Sequence, residues 1–303
     1  MNPVLSLIIV GFNNSDIEIY RLVSAAAAAA KESGLGFESI LVSNDGRRPD
    51  AELDHFIDSG ANLGFAGGCA EGQSRATGDW ILYSNADLEI DPIELATFLT
   101  RNTRDSRADV VVPLLVDSRF RPDASAYHNA TLNSVRLLSL VPIGRVLRGT
   151  RRRELPTFMK APGAFVLFSS QAALLLGPFD REFFLYAEDR DMSRRARDLG
   201  YTLTLDPALR VRHFSGGSGA GMSSFVDVAS FDGSLRVASR TRRPTLLTRV
   251  AILESLAIST ARFVLLRGDR SQLETRVAVA RRWWPRGAHP ARLDADSTKE
   301  LAR

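Results

Sequence analysis

The sequence predicts an α/β fold with a mainly parallel sheet that is covered by helices on both faces. Apolar, strand-like runs alternate with helix-like segments from the N-terminus onward, and this order is typical of such sheets. The chain has 303 residues, of which 45% are hydrophobic and 24% are charged. These are ordinary values for a globular protein. The length suits one large domain, or one domain with an appendage.

The N-terminal part supplies the alternating elements. A first helix is predicted between Ser15, a suitable N-cap, and Gly34, a suitable stop. A second helix, DPIELATFLTRN, has Pro92 at its start, where proline is favoured. The predicted strands around these helices are VLSLIIVGF, FESILVSND, DWILYSNAD and ADVVVPLLV.

The middle of the chain is less regular. We expect a basic loop over VPIGRVLRGTRRRELP, followed by a strand in KAPGAFVLFSS. A short helix and then a helix ending at Leu199 come next. The segment GYTLTLDPALRVRHFSGGSG predicts two short strands and a loop, and from Ser223 onward the pattern is helical.

Polar residues follow three of the predicted strands. Asn13, Asp45 and Asp87 each lie at or just beyond a strand end. Ligands of open α/β sheets bind at the carboxyl ends of the strands. These three positions therefore indicate a binding site at that edge of the sheet.

The stretch LGFAGGCAEG, from Leu63 to Gly72, contains four glycines in ten residues. Such a density argues against an ordinary helix or strand, because glycine loses the most conformational freedom on ordering. A dinucleotide fingerprint would need G-x-G-x-x-G directly after the first strand. This stretch comes some fifty residues later and its glycines are spaced differently. It therefore favours a different kind of phosphate-binding loop or a plain turn.

Carboxylates mark two further positions. Asp87, in SNADLEID, suits a hard divalent cation whose other ligands are the oxygens of substrate phosphates. A role in a turn or in helix capping is the alternative. Glu188, Asp189 and Asp191 crowd the start of a predicted helix. The helix dipole alone favours acidic residues there, but such crowding after the aromatic run FFLY also suits a general base. His213 follows a strand and, taken alone, fits a surface or core histidine.

Charge is distributed unevenly along the chain. Residues 236–303 contain 15 Lys and Arg residues against 6 Asp and Glu, whereas the whole chain has a formal net charge of +4. A basic tail favours an anionic partner, either lipid or nucleic acid; a solvated, arginine-rich helical region is the alternative. The sequence has no zinc pattern, RNP-like motif or helix-turn-helix signature, so we expect no nucleic-acid binding.

The cysteine count and the apolar runs of the sequence indicate where in the cell we expect the protein. Cys69 is the single cysteine, so no intrachain disulfide forms, and this fits a reducing cytoplasm. The first apolar run is short and has no basic region before it, and no uncharged apolar run of about 18 residues occurs. We therefore expect neither a signal peptide nor a membrane-spanning helix.

The basic tail also contains an amphipathic segment, LLTRVAILESLAISTARFVLLRG. Glu254 intrudes on its apolar face, and further on RRWWPR places two tryptophans among arginines, a composition that suits a membrane interface. Two interpretations stay open: the face packs on the catalytic domain or a second subunit, or it contacts a membrane. The face consists of Leu246, Leu247, Val250, Leu253, Ala257, Ile258, Ala261, Val264 and Leu265.

Taken together, these segments resemble the family 2 inverting glycosyltransferases with the GT-A fold, especially bacterial rhamnosyltransferase-like members that build cell-wall or surface polysaccharide. The resemblance covers roughly Val4 to Gly217. This chain has Gly11-Phe12-Asn13 and Asn85-Ala86-Asp87 where the family usually has Thr-Tyr-Asn and Asn-Pro-Asp. The segments that carry the resemblance are LSLIIVGFNN, LVSNDG, NLGFAGGCAEG, ILYSNADLEIDP, APGAFVLFSS, LGPFDREFFLYAEDRDMSRRARDLGY and VRHFSGGS.

The resemblance implies a domain organisation and a set of roles. It implies a GT-A catalytic domain over residues 1–220, with a donor half (about 1–115) and an acceptor half (about 116–220), followed by a basic helical extension over 221–303. The glycine-rich segment would lie under the sugar-nucleotide donor and open a helix. The expected donor-binding residues are Phe12, Asn13, Asp45, Asn62, Gly64, Phe65, Gly67, Asn85 and Asp87. Asp87 and His213 are the expected metal ligands; Asp189 is the expected base, with Glu188 and Asp191 as the other catalytic candidates.

The implied reaction is a metal-dependent, inverting sugar transfer. The donor would be an NDP-sugar, with dTDP-rhamnose suggested by the overall likeness, and the acceptor a hydroxyl of a carbohydrate or of a polyprenyl-phosphate-linked molecule. Mg²⁺ or Mn²⁺ would offset the charge of the leaving diphosphate. The implied location is the cytoplasm, with peripheral contact to the inner face of the membrane through the C-terminal helices; a homo-oligomer is a further option. The alternative is a catalytically silent member that binds a sugar nucleotide or a partner protein.

Overall fold

A nine-stranded sheet runs through the part of the chain that is described. The computed structural model describes residues 3–105, 109–213, 223–266, 270–284 and 290–302. The strands are β1 (Val4–Gly11), β2 (Gly36–Ser43), β3 (His55–Asp58), β4 (Trp80–Asn85), β5 (Leu88–Ile90), β6 (Val110–Val116), β7 (Arg153–Glu154), β8 (Phe165–Ser169) and β9 (Leu203–His213).

Helices connect and cover these strands. A short 3₁₀ helix spans Ala124–Tyr127. The α-helices are α1 (Asp16–Glu32), α2 (Gly64–Gln73), α3 (Pro92–Thr103), α4 (Asn133–Leu147), α5 (Ser170–Leu176), α6 (Glu188–Asp198), α7 (Ser223–Ser239), α8 (Pro244–Leu266), α9 (Arg270–Trp283) and α10 (Ala295–Ala302).

The strand order is β3-β2-β1-β4-β8-β6-β9-β5, and β7 pairs with β9. The first four strands in this order are parallel. β8 is antiparallel to both β4 and β6, whereas β6 and β9 are parallel. The predicted α/β class is confirmed, but the sheet is mixed and not mainly parallel: among the described strands, four pairings are parallel and four are antiparallel.

Local signals in α1 and α3 match their observed ends. Ser15 caps α1 through a capping box with Glu18, which satisfies two backbone donors at the helix start. Gly34 follows α1 with φ +73°, a left-handed conformation that favours glycine. Asp91 caps α3 ahead of Pro92.

The glycine-rich stretch corrects an expectation, because Gly64–Gln73 is itself a helix, α2. A Cβ on Gly68 would come within 2.6 Å of a Val10 methyl, and one on Gly72 would collide with Ile8. The glycines therefore let α2 lie directly on β1. This close packing offsets the low helix propensity of glycine.

Two expectations for the middle of the chain were wrong in detail. The expected loop from residue 141 to 156 begins as the second half of α4, which continues through Pro142 to Leu147. The two expected strands after Tyr201 are one strand, β9, whose pairing with β6 shifts register between Val112 and Leu114. The expected loop after it, residues 214–220, lies outside the described residues.

The C-terminal helices form a second core. Residues of α7, α8 and α9 and of the segment after residue 290 pack around Trp283. The buried face of α8 contains Thr248, Ala251, Ile252 and Ser255, which is the face opposite to the predicted apolar one. Most of the predicted apolar face is exposed, with Leu253 at 55% and Leu265 at 76% exposure, whereas Leu247 and Ile258 are half-buried. Among the described residues, no helix is long and apolar enough to cross a membrane.

Candidate active site

A cavity of about 540 Å³ lies beyond the carboxyl ends of β1 and β4. Helices α2 and α6, the end of β9 and the C-terminal helices α7 to α9 complete its wall. The cavity brings together most of the residues that the sequence indicates. Those that line it are Phe12, Asn62, Gly64, Phe65, Asn85, Asp87, Glu188, Asp189 and His213.

Asp87 and His213 form a pair in this wall. Asp87 lies in the turn between β4 and β5, and His213 is the last residue of β9, opposite Leu88 in the ladder. The His213 Nε2 to Asp87 Oδ1 distance is 3.8 Å. Burial raises the pKa of Asp87 above its usual range, and His213 partly opposes this shift. A buried carboxylate of this kind is stabilised by a nearby cation.

The pair suits a divalent cation whose remaining coordination positions are filled by another molecule. Within the described ranges, no group of three or more His, Cys, Asp or Glu side chains could hold a metal ion. One carboxylate oxygen and one imidazole nitrogen are suitable ligands for Mn²⁺, and the carboxylate suits Mg²⁺. Two protein ligands leave the remaining positions to the oxygens of a diphosphate.

The start of α2 is pressed against the segment before α6. Gly64 has φ +72°, and a Cβ there would collide with the carbonyl of Phe184. The Phe65 amide donates to that carbonyl at 3.0 Å. The Asn62 side chain accepts from the Gly64 amide, and the Asn44 side chain donates to the Gly64 carbonyl at 3.1 Å. Only glycine at position 64 permits this close approach.

Three expected donor residues lie outside the cavity wall. The Asn13 amide donates to Asp45 at 2.6 Å, and Asp45 lines a small depression that shares Phe12 and Asn14 with the cavity wall. Partial burial raises the pKa of Asp45, but hydrogen bonds from Asn13, Ser43 and Arg47 outweigh it and lower this pKa overall. Gly67 faces the Leu63 side chain, where a Cβ would be 2.8 Å away, so it serves the packing of α2.

A strained turn presents the carboxylates of α6. Tyr186 and Ala187 both have φ 68°, which is unfavourable for residues other than glycine. Gly233 of α7 packs on this turn: a Cβ there would lie 2.5 Å from the Tyr186 carbonyl oxygen and 3.1 Å from the Ala187 Cβ. The turn is therefore held between α2, at Gly64, and α7, at Gly233.

Glu188 and Asp189 are buried side by side but differ in their partners. The Asp189 Oδ2 accepts from the Gly163 amide at 3.2 Å and from the Lys160 ammonium. The Glu188 Oε2 has no hydrogen-bond partner among the described residues. Burial, together with the charge of Asp189, raises the pKa of Glu188 to about 8. Glu188 is therefore mainly protonated at neutral pH.

Asp191 is a correction to the expected catalytic set. It is fully buried and does not line the cavity. Its oxygens contact Arg195 at 2.7 Å, Arg194 at 3.0 Å and Arg240 at 3.1 Å. These arginines lower its pKa against the effect of burial. Asp191 joins α6 to the end of α7, which is a structural role.

Several cavity residues were not singled out from the sequence. Lys160 directly precedes APGAFVLFSS, a segment that carries the family resemblance, and its charge beside Asp189 is apparent only from the fold. His128 and Arg136 come from the irregular middle region, which has no recognisable motif. Others include Asn14, Asn44, Tyr186, Arg190 and residues of α7 to α9.

Comparison with known proteins agrees with this geometry. Residues 6–171, more than half of the chain, match Glycosyl transferase family 2. The chain belongs to this family. The matched segment contains most of β1, all of β2 to β4 and α2, and the residues Asp87 and Lys160. No curated protein sequence matches the chain.

Solved structures share the fold of this family 2 protein. The crystal structure of GalNAc-T7 with UDP, GalNAc and Mn²⁺ superimposes with a TM-score of 0.55 at 16% identity, over 91% of this chain and 54% of that one. The chain thus spans about half the length of that protein. The mannosyltransferase PcManGT from Pyrobaculum calidifontis, in complex with GDP-Man and Mn²⁺, gives a TM-score of 0.52 at 13% identity, over 99% of this chain and 85% of that one.

Proposed function

We propose that this family 2 glycosyltransferase moves a sugar from an NDP-sugar to an acceptor hydroxyl with inversion of the anomeric centre. The observation that carries the proposal is the single cavity that holds both the Asp87–His213 pair and Asp189. The Asp87–His213 pair suits a metal ion that binds a diphosphate, and Asp189 suits a proton acceptor. For the pathway we propose cell-wall or surface polysaccharide synthesis, and for the donor dTDP-rhamnose, on sequence likeness.

Asp189 is the proposed general base. The acceptor hydroxyl gives its proton to Asp189 while its oxygen bonds to the anomeric carbon, and the bond from that carbon to the diphosphate breaks. Lys160 and the Gly163 amide hold the carboxylate in position. Glu188 is unsuited to this role because its raised pKa keeps it protonated at neutral pH. No second carboxylate is needed as an acid, because a diphosphate leaves without protonation.

Asp87 and His213 are the proposed metal ligands. A bound Mg²⁺ or Mn²⁺ would neutralise negative charge on the leaving diphosphate. Phe12, Asn62, Gly64, Phe65 and Asn85 would surround the rest of the donor. We propose that Asp45 and Asn13 contact the nucleoside at the rim, since they lie beside Phe12.

The base assignment is tested by Asp189→Asn, which is nearly isosteric and removes the proton acceptor. We expect turnover to fall by about 10²–10⁴-fold, with donor affinity little changed. Asp198→Asn is the matched control, because Asp198 is an exposed residue at the end of the same helix. Near-normal transfer by Asp189→Asn would refute the assignment.

Metal dependence is tested with donor hydrolysis. A panel of NDP-sugars, screened by thermal shift with and without Mn²⁺, identifies the donor. Hydrolysis of that donor should stop in excess EDTA and return with Mn²⁺ or Mg²⁺. Donor binding without any turnover would instead support the silent sugar-nucleotide-binding protein; the joint presence of Asp87, Asp189 and His213 in one cavity argues against it.

The proposed domain organisation keeps residues 1–220 as the catalytic domain and 221–303 as a helical extension. Residues of the extension contribute to the cavity wall, among them Phe231, Ser234 and Arg276. Arg240 also contacts Asp191 in α6. We therefore propose that the extension completes the acceptor side of the active site.

We further propose a cytoplasmic location with peripheral contact to an anionic membrane. The contact surface consists of the exposed apolar residues of α4 and α8, here called the α4–α8 surface. Glu254 does not oppose this, because its carboxylate accepts from the amides of Asn133 and Ser134 at the start of α4. The surface comprises Val135, Leu137, Leu138, Val141, Leu246, Val250, Leu253, Phe263, Val264 and Leu265.

Charge complementarity favours an anionic bilayer over a second protein copy. Arg242, Arg243 and Arg249 are exposed around the N-terminal half of α8. Arg249 stacks over the half-exposed ring of Trp284 at 5.8 Å. Arginine is attracted to anionic headgroups, and tryptophan prefers the interface.

Liposome flotation tests the membrane contact. The full chain should float with anionic vesicles, and the double variant Leu137→Ser/Leu253→Ser should not. The control is Leu174→Ser/Leu175→Ser, which changes two exposed leucines of α5 outside the surface. Membrane contact would be refuted if the well-folded full chain does not float. It would also be refuted if the chain forms a dimer that Leu137→Ser/Leu253→Ser abolishes.

A further inference from the structure

Two groups of ionisable side chains line the cavity. Asp87 and His213 form the first group. The second group comes from four segments of the chain and gathers around His128, and we call it the basic end. Its members are His128, Arg136, Lys160 and Arg190.

Backbone and side-chain contacts hold the basic end together. His128 forms an isolated β-bridge with Met159, and the Lys160 amide donates to the Tyr127 carbonyl at 2.8 Å. The Arg190 Nη2 donates to the Thr131 hydroxyl at 2.6 Å. Burial, together with Lys160, Arg136 and Arg190, lowers the pKa of His128 to about 3, so the imidazole itself is neutral.

Arg190 is a buried cation without a carboxylate partner in the described part of the chain. It is 4% exposed, and its guanidinium bonds only to two hydroxyls, on Thr131 and on Ser234 at 3.3 Å. Its Nε has no partner among the described residues. A buried charge is costly unless it is paired. The neighbouring Arg194 and Arg195, in contrast, are both paired with Asp191.

The other cations of the cavity differ in how far they are compensated. Lys160 is paired with Asp189, and Arg276 is paired with Asp227. Arg136 is exposed on the first turn of α4 and makes no ion pair with a described residue. Arg136 and Arg190 therefore present two positive charges to the cavity without a direct ion pair to a described residue, while the charge of Asp189 acts on Arg190 through space.

We propose that Arg136 and Arg190 bind a phosphate or diphosphate group of the acceptor. Guanidinium groups match phosphate oxygens in charge and in hydrogen-bond geometry. The proposal rests on the proposed sugar transfer. The donor's diphosphate is assigned to the metal site at Asp87, so Arg190 is left for a different anion. Because Arg190 directly follows the proposed base, Asp189, a sugar attached to that anion would lie beside the base. The anion's source is either a lipid-linked diphosphate or a soluble phosphorylated molecule.

Isothermal titration of the full chain in EDTA tests the site without turnover. The probes are inorganic pyrophosphate, geranyl diphosphate and geraniol. We expect Arg190→Gln to weaken pyrophosphate binding by about 10- to 100-fold and Arg136→Gln by about tenfold, since hydrogen bonds to charged groups are lost. Arg145→Gln, on the exposed side of the same helix, is the control and should bind as the wild type does.

The outcomes separate the two proposals. Geraniol should not bind. Geranyl diphosphate binding more tightly than pyrophosphate indicates a lipid-linked acceptor, and equal affinities indicate recognition of the diphosphate alone. No diphosphate binding by the wild type, or unchanged affinity in the exposed Arg136→Gln variant, would overturn the anion site. Donor hydrolysis is measured separately on the same protein, without EDTA and with Mn²⁺ added; its absence in the wild type under those conditions would refute the proposed function instead.

Discussion

The packing of α7 on the strained turn before α6 leads to a sharp prediction for Gly233→Ala. The added Cβ would lie 2.5 Å from the Tyr186 carbonyl oxygen and 3.1 Å from the Ala187 Cβ. A backbone oxygen cannot rotate away as a side chain can. The turn and α7 must therefore separate, and the carboxylates of Glu188 and Asp189 must move with the turn.

The magnitudes follow from two opposed terms. Overpacking costs about 1–3 kcal/mol, and the change from glycine to alanine inside a helix returns about 1 kcal/mol. We expect the free energy of unfolding to fall by about 0–2 kcal/mol. Because a shift of about 1 Å in a catalytic group costs up to about 10²-fold, turnover should fall by about 10- to 100-fold.

Steady-state donor hydrolysis and urea denaturation measure the two effects. Gly144→Ala, in α4, is the matched control because a Cβ there meets no atom within 4 Å. It should leave turnover unchanged and stabilise the protein by about 0.5–1 kcal/mol. If Gly233→Ala retains wild-type turnover, then α7 does not position the turn, and the reasoning fails.

Three further predictions concern stability, measured by urea unfolding without metal. Gly72→Ala should cost about 1–3 kcal/mol by overpacking against Ile8; an unchanged midpoint would contradict the close packing of α2. The raised pKa of Glu188 stabilises the folded protein fully below pH 4.5, and this stabilisation is lost as pH rises to its folded pKa of about 8. Glu188→Gln should therefore flatten the fall in stability between pH 4.5 and about 8 by up to about 1.4 kcal/mol per pH unit. Parallel pH profiles would refute that. Arg236→Met should cost up to about 3–5 kcal/mol, because buried Asp232 loses its arginine partner at 3.3 Å and retains Trp283 Nε1 at 2.8 Å and the more distant Arg282 at 3.9 Å. Adding Asp232→Asn should recover part of the loss; a cost under 1 kcal/mol would contradict the reasoning.

The sequence by itself determined the fold class and much of the site. Local signals, such as the capping box at Ser15 and the proline at the start of α3, fix helix ends because they act over a few residues. Strand periodicity predicted the sheet, and the topology of parallel strands brought Phe12, Asn85 and Asp87 to one edge. The family resemblance led to Asp189 and His213, which also line the cavity.

Only the tertiary structure decided three matters, each of which depends on partners distant in sequence. The glycines of α2 form a helix because β1 lies directly beneath them, which composition alone does not reveal. Glu188, Asp189 and Asp191 crowd one helix start in the sequence, but their surroundings differ: Glu188 is buried without a partner for its Oε2 among the described residues, Lys160 pairs with Asp189, and three arginines surround Asp191. The α8 segment has one apolar face by periodicity, but the fold buries the opposite face against α7 and α9. Periodicity measures the amphipathicity of a helix; contacts made across the whole chain determine which face is covered.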